Sequence, residues 1–230
     1  MLWCDEATFW QGDYPLSADL QIEAGKVTAV IGPSGAGKST LLGGIAGFYR
    51  QQQGRLLWKD TDITALPPEK RPVSMLFQDN NLFPHLTVTQ NVGLALSPRL
   101  AVLNKEMVQV EHILDRVGLT GLGDRKPAAL SGGQQSRAAL ARALLQDRDL
   151  MLMDEPFSAL GPGLKAEMLD LSVELAQAAE RTVVMVTHDP ADAARVADAI
   201  IGVSPSMAWA PIETKQFLGA PPDPFKEYLG

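Results

Sequence analysis

Cysteine occurs once in the 230-residue chain, as Cys4. A single thiol makes no internal disulfide, and the chain shows no cysteine–histidine cluster of the kind that holds zinc. The expectation is an inert thiol in a reducing compartment. No apolar run approaches the roughly 18 residues that cross a bilayer. Residues 1–6 carry neither the basic stretch nor the apolar core of a secretory leader. The chain therefore reads as soluble, with any membrane link made through a partner. Basic charge is also short: 20 Lys and Arg stand against 27 Asp and Glu, a net charge of −7. That argues against a general nucleic-acid binder and against charge-driven adhesion to anionic lipid. Glycine and proline, 20 and 16 residues, are too few for a low-complexity chain.

What is present is a globular mixture, 46% hydrophobic and 20% charged, sufficient for a single domain with its own core. Residues 16–22 alternate apolar and polar, as a half-buried strand does. Residues 27–31, 73–77, 150–153 and 182–186 are short apolar runs of the kind buried on both faces. Residues 56–58 suggest a further strand, and 61–71 a loop. A helix is expected from about Lys38. Gly43 and Gly44 cost it roughly 1 kcal/mol each relative to Ala, which implies close packing there. Thr87–Gln90 and Ser131–Gln134 each form a capping box, and the second opens a helix through Leu145. Met107, Val110, Ile113, Leu114 and Val117 recur at helical spacing. Leu164, Met168, Leu171 and Leu175 mark one face of a long helix, and Asp189-Pro190 is an N-cap with its first-turn proline. After Ile201 the pattern fades into a Pro-rich tail. Buried strands alternating with helices specify an α/β fold with a mainly parallel sheet.

Gly32-Pro33-Ser34-Gly35-Ala36-Gly37-Lys38-Ser39 lies between a predicted strand and a predicted helix and matches G-x-x-x-x-G-K-[ST]. Glycines let backbone amides curl round an anion without a Cβ clash. The helix N-terminus adds positive potential. Lys38 reaches the β- and γ-phosphates, Ser39 offers a hydroxyl to Mg²⁺, and Thr40 completes the loop. The run 149–155 ends in Asp154 and Glu155, at the strand end that faces the ligand crevice in a parallel sheet. There Asp154 can hold Mg²⁺, and Glu155 can orient or deprotonate the attacking water.

The string Leu130-Ser131-Gly132-Gly133-Gln134, ahead of Asp154, resembles the signature motif of ABC-family ATPases. The resemblance implies a P-loop NTPase core of RecA type with a parallel sheet, an antiparallel β-subdomain and an inserted helical subdomain at about 79–145, followed by a tail at about 205–230. It implies that Ser131, Gly132, Gly133 and Gln134 complete the ATP site of a second copy in a homodimer. It gives Gln78 a place near Mg²⁺ and the attacking water, and makes His188 the switch histidine that holds the γ-phosphate and the geometry of Glu155. An aromatic near the end of the first strand stacks on adenine in the family. Phe9, Trp10 and Tyr14 compete for that role, and Trp10 is favoured for its large indole face.

The family usually reads Ser-Ala-Leu-Asp after the strand acids, whereas here Ser158-Ala159-Leu160 is followed by Gly161. Either a carboxylate that couples the two ATP sites is missing, or the turn tolerates drift. The resemblance covers residues 1 to about 205 and is closest to the ATP-binding subunits of bacterial thiamine importers, on residues 71–88 and on length. It implies a transmembrane permease as partner, a periplasmic substrate-binding protein indirectly, no nucleic acid, and a place on the cytoplasmic face of the inner membrane. Phe83, Pro84 and Leu86 are candidate permease contacts, or else subdomain core. The competing functions are a soluble ABC ATPase outside transport and a nucleotide-dependent scaffold with weak turnover.

Overall fold

The computed structural model describes residues 1–97 and 104–229. Residues 98–103 of the expected helical subdomain, and residue 230 of the tail, lie outside the described residues. In chain order the first elements are β1 (Leu2–Gln11), β2 (Tyr14–Ile22), β3 (Val27–Ile31), α1 (Lys38–Ala46), β4 (Arg50–Trp58), β5 (Thr61–Asp62) and β6 (Val73–Leu76). Then come α2 (Val88–Gly93), α3 (Asn104–Arg116), α4 (Gly132–Leu145), β7 (Leu150–Asp154), α5 (Pro162–Ala178), β8 (Thr182–Val186) and α6 (Pro190–Val196). The chain closes with β9 (Ala199–Ser204), β10 (Met207–Ala208), β11 (Ile212–Glu213), α7 (Thr214–Gly219) and α8 (Asp223–Leu229).

All the strands join one sheet in the order β5-β4-β1-β2-β10-β9-β3-β8-β7-β6, with β11 on β9. The strands β9, β3, β8, β7 and β6 run parallel, while β1, β2, β4 and β5 form an antiparallel arm. The two-residue β10 bridges them, parallel to β2 and antiparallel to β9.

The parallel strands are buried because both faces are covered. Along β7, Met151 and Met153 enter the cluster under α4 and α5, while Leu150 and Leu152 enter the one under α1 and the arm. Along β8, Val183 and Met185 take the first side and Val184 and Val186 the second, as a two-residue side-chain period requires. The glycines of α1 do mark close packing: a Cβ on Gly44 would stand 2.3 Å from the Phe9 ring. Cys4 is fully buried in β1, and burial, aided by Asp19, pushes its thiol up to about 12.

Several segments differ from the sequence reading, among them the loop expected at 61–71, whose Thr61–Asp62 pair with β4 as β5. The strand expected at 56–58 begins at Arg50. Its polar half hydrogen-bonds along β1 with little burial, so no apolar pattern announced it. The tail is not featureless either: Phe217 of α7 and Phe225 of α8 are fully buried against Ala29 and Ile31 of β3 and Ile200 of β9.

Candidate nucleotide site

Parallel strands deliver their C-terminal ends to one edge of the sheet, and the chemistry-bearing residues collect there. The loop after β3 turns into α1 through Gly37, whose φ of 108 lies in the left-handed region that glycine takes without strain. The turn brings Lys38 back over the loop, where Nζ donates to the carbonyls of Gly32 at 2.9 Å and Pro33 at 3.0 Å. Lys38 is buried. Burial lowers its pKa, against the pull of Glu155 and Asp154. A desolvated ammonium beside two carboxylates, at a helix N-terminus, is a site for a polyanion with a cation.

The next residues fix the rest. Ser39 Oγ donates to Asp154 Oδ1 at 3.2 Å. Burial raises the Asp154 pKa and Glu155 adds to the rise, while Ser39 and Lys38 work against it. Glu155 leaves the strand at φ 44, its amide donating to Val186 O at 3.1 Å, and Phe157 follows at φ 66. Two non-glycine residues in the left-handed region store about 1–3 kcal/mol each; here they turn Glu155 off the β7 axis. His188 Nδ1 then lies 3.4 Å from Glu155 Oε2.

The histidine turn is braced from α5. Lys165 Nζ reaches Asp192 at 2.6 Å and Asp189 at 3.3 Å, and Thr187 Oγ1 donates to Asp192 at 2.7 Å. A cleft of about 440 Å³ opens among these groups, lined by Gln11, Tyr14, the loop residues Ser34, Gly35 and Gly37, then Lys38, Ser39, Thr40 and Glu155.

The ABC transporter family matches residues 16–158. The chain belongs to that family. It is similar over its whole length to a thiamine import ATP-binding protein of Ruegeria sp. (strain TM1040), 53% identical and covering 100% of both chains. A protein of the same name from Cereibacter sphaeroides is 53% identical with the same coverage. Among solved structures, an ATP-binding cassette of an ABC transporter in its ADP conformation aligns with a TM-score of 0.86 at 26% identity, covering 96% of this chain and 95% of its own. A dimeric cassette in a post-hydrolysis state with ADP and Pi aligns at 0.78 and 27% identity, covering 93% and 99%.

Within this ABC cassette the candidate residues divide. Lys38, Ser39, Thr40 and Glu155 line the cleft with Ser34, Gly35 and Gly37 of the loop; Asp154 and His188 join it through Ser39 and Glu155, while Gly32 and Pro33 hold Lys38 and Ala36 is buried. Gln78 is exposed just beyond β6, the neighbour of β7, and does not line the cleft. Ser131–Gln134 do not line it either. Ser131 caps α4, accepting from the Gln134 amide at 3.3 Å while Gln134 Oε1 accepts from the Ser131 amide at 3.0 Å.

Trp10 does not line the cleft. Gln11 pairs with Tyr14 across the two-residue turn at Gly12 and Asp13, so both reach the cleft, whereas Trp10 pairs with Pro15 and projects from the other face of the strand. Tyr14 is the aromatic at the loop: its hydroxyl donates to Ala36 O at 3.3 Å and accepts from the Ser206 amide at 3.0 Å. Gln11, which accepts from Thr40 Oγ1 at 2.7 Å, had no motif to announce it. Gly161 N-caps α5 with open space where a Cβ would sit. Leu86 is buried, while Phe83 is 46% exposed and Pro84 is exposed too. Among the described residues no helix is long and apolar enough to cross a membrane.

Proposed function

We propose that the chain is the ATP-hydrolysing subunit of an importer for thiamine or its phosphates, acting as a homodimer on a membrane permease. The observation that carries it is the cleft lined by Lys38, Ser39 and Glu155, with Asp154 bonded to Ser39 and His188 beside Glu155. The names of the full-length relatives support thiamine as cargo.

ATP is the substrate of this cleft. Lys38 exchanges its carbonyl partners for phosphate oxygens, and the amides of the loop join it. The hydroxyl of Ser39 and the carboxylate of Asp154 are hard oxygen donors side by side, which suits Mg²⁺. Among the described residues no group of three His, Cys, Asp or Glu forms a metal site of its own. Such an ion would therefore take its remaining ligands from phosphate and water, with Gln78 brought in from the end of β6. Bound there, it supplies positive charge to the phosphate oxygens. Glu155 takes the proton of the attacking water, and His188 beside it holds the carboxylate and the terminal phosphate in register. Tyr14 faces the base in place of Trp10.

Ser131, Gly132, Gly133 and Gln134 cap the phosphates bound to a second copy, so ATP closes the dimer and hydrolysis reopens it. The permease docks where Phe48, 53% exposed, joins Pro68, Met75, Phe77 and Leu94 round a groove of about 360 Å³, and the exposed Phe83 is a further contact. Membrane association at the cytoplasmic face follows from that contact.

The test is Glu155→Gln. Turnover falls by about 100-fold or more, the scale of a lost general base, while ATP affinity is retained and dimers accumulate. Wild-type hydrolysis in this variant removes Glu155 from its role.

A further inference from the structure

The C-terminal helix carries no motif, yet it brings a hydroxyl to the nucleotide site. Its seat is made by bare backbone. Phe225 is fully buried over Gly202 of β9, where a Cβ would meet the ring at 2.4 Å. Phe217 and Trp209 close round that ring, with centroids 5.4 Å and 5.9 Å away. Gly202 is paired with Ile31, the residue before the phosphate loop. Gly32 is pressed equally close to β9, since a Cβ there would stand 2.1 Å from Val203 O. Tyr228 lies three residues after Phe225, one helical turn along the same side. Its hydroxyl donates to the His188 carbonyl at 2.9 Å. The Gly32 backbone lies near enough to the same phenol to oppose the rise in its pKa.

We propose that Tyr228 is a positioning residue for hydrolysis: from a helix seated on β9, beside the strand that leads into the phosphate loop, its hydroxyl ties down the backbone of the histidine turn. The tie fixes the separation between the Lys38 wall of the cleft and the Glu155–His188 wall. The Lys165 network braces that turn through Thr187, Asp189 and Asp192, and Tyr228 alone among these bonds holds His188 itself. Burial raises the phenol pKa, the Gly32 amide opposes the rise, and Glu155 and Asp189 add to it, so the hydroxyl stays a donor. The proposal rests on the reading of Glu155 and His188 as the hydrolytic pair.

The experiment compares full-length Tyr228→Phe, Tyr228→Leu and Glu155→Gln by steady-state hydrolysis of Mg-ATP and by thermal unfolding. Phenylalanine keeps the ring in its apolar seat and removes only the hydroxyl. In Tyr228→Phe, kcat falls about fivefold, the scale of one hydrogen bond, with KM for ATP and Tm unchanged. Tyr228→Leu loses kcat and Tm together. Wild-type kcat in Tyr228→Phe overturns the proposal, whatever leucine does, because the residue is then only packing. A raised KM at constant kcat overturns it as well. Should Glu155→Gln hydrolyse ATP normally, the hydrolytic reading and the tie fall together; an inactive Glu155→Gln beside a normal Tyr228→Phe sinks the tie alone.

Discussion

Helices α2 and α4 begin with the same reciprocal capping box, Thr87 with Gln90 and Ser131 with Gln134. Their surroundings differ. At α2 the next two amides are plugged by protein, Val88 N donating to Arg125 O at 2.8 Å and Thr89 N to Gly123 O at 2.9 Å. At α4, among the described residues, no acceptor takes the amides of Gly132 and Gly133. Val88 is buried, whereas Ser131 and Gly132 are exposed. The cap motif therefore starts a helix in both places but leaves first-turn amides without a protein acceptor, among the described residues, in only one. What separates them is whether a neighbouring loop fills the first turn.

The comparison breaks most readily through charge. Ser131→Asp keeps a good N-cap but, in the proposed homodimer, sets a carboxylate against the phosphates bound to the second copy. ATP hydrolysis falls by about 100-fold, the scale of losing a preorganised electrostatic contact. Thr87→Asp, the matched change at the plugged helix, leaves hydrolysis within about twofold of wild type. Equal losses in both variants would mean that the two helix ends are not functionally different.

Steric filling gives a smaller effect with the opposite bias. A Cβ on Gly123 would stand 2.4 Å from Thr89 Oγ1, inside the plug, whereas one on Gly132 meets nothing closer than 3.7 Å. Gly123→Ala lowers unfolding stability by about 1–3 kcal/mol, as overpacking does. Gly132→Ala changes it by less than about 0.5 kcal/mol. Denaturant unfolding of the two variants separates these outcomes, and an intact Gly123→Ala would show that the plug yields freely. The smallest effect is a shared one. Thr87→Ala and Ser131→Ala each lose about 1 kcal/mol of stability with the cap, and a large gap between their denaturation midpoints would show that the boxes are not equivalent as caps.

The capping boxes, the phosphate loop and the acids at the end of β7 were legible because each is set by a few adjacent residues. Ser131, Lys38 and Asp154 declare themselves within a handful of positions. Trp10 and Tyr14 were not separable, because the choice depends on the hairpin register that places Gln11 opposite Tyr14, and a one-residue slip exchanges the faces. The polar start of β4 was hidden because an edge-side strand with little burial has no alternation to read. The tail was hidden for another reason: α7 and α8 are short, and Phe225 locks onto Gly202 of β9 with Phe217 against its ring. Tyr228 follows from that lock, so no local pattern announces it.

The thiol sealed inside β1 also has a practical consequence. Cys4 is the chain's one sulfhydryl, and with its ionisation pushed to about 12 it stays beyond the reach of ordinary alkylating reagents. The natural chain is thus already suited to site-directed labelling. A cysteine introduced at an exposed position away from the capping boxes, such as Val108, would be the sole group to take up a probe, and the approach of two copies becomes measurable without first stripping the protein of reactive sulfur.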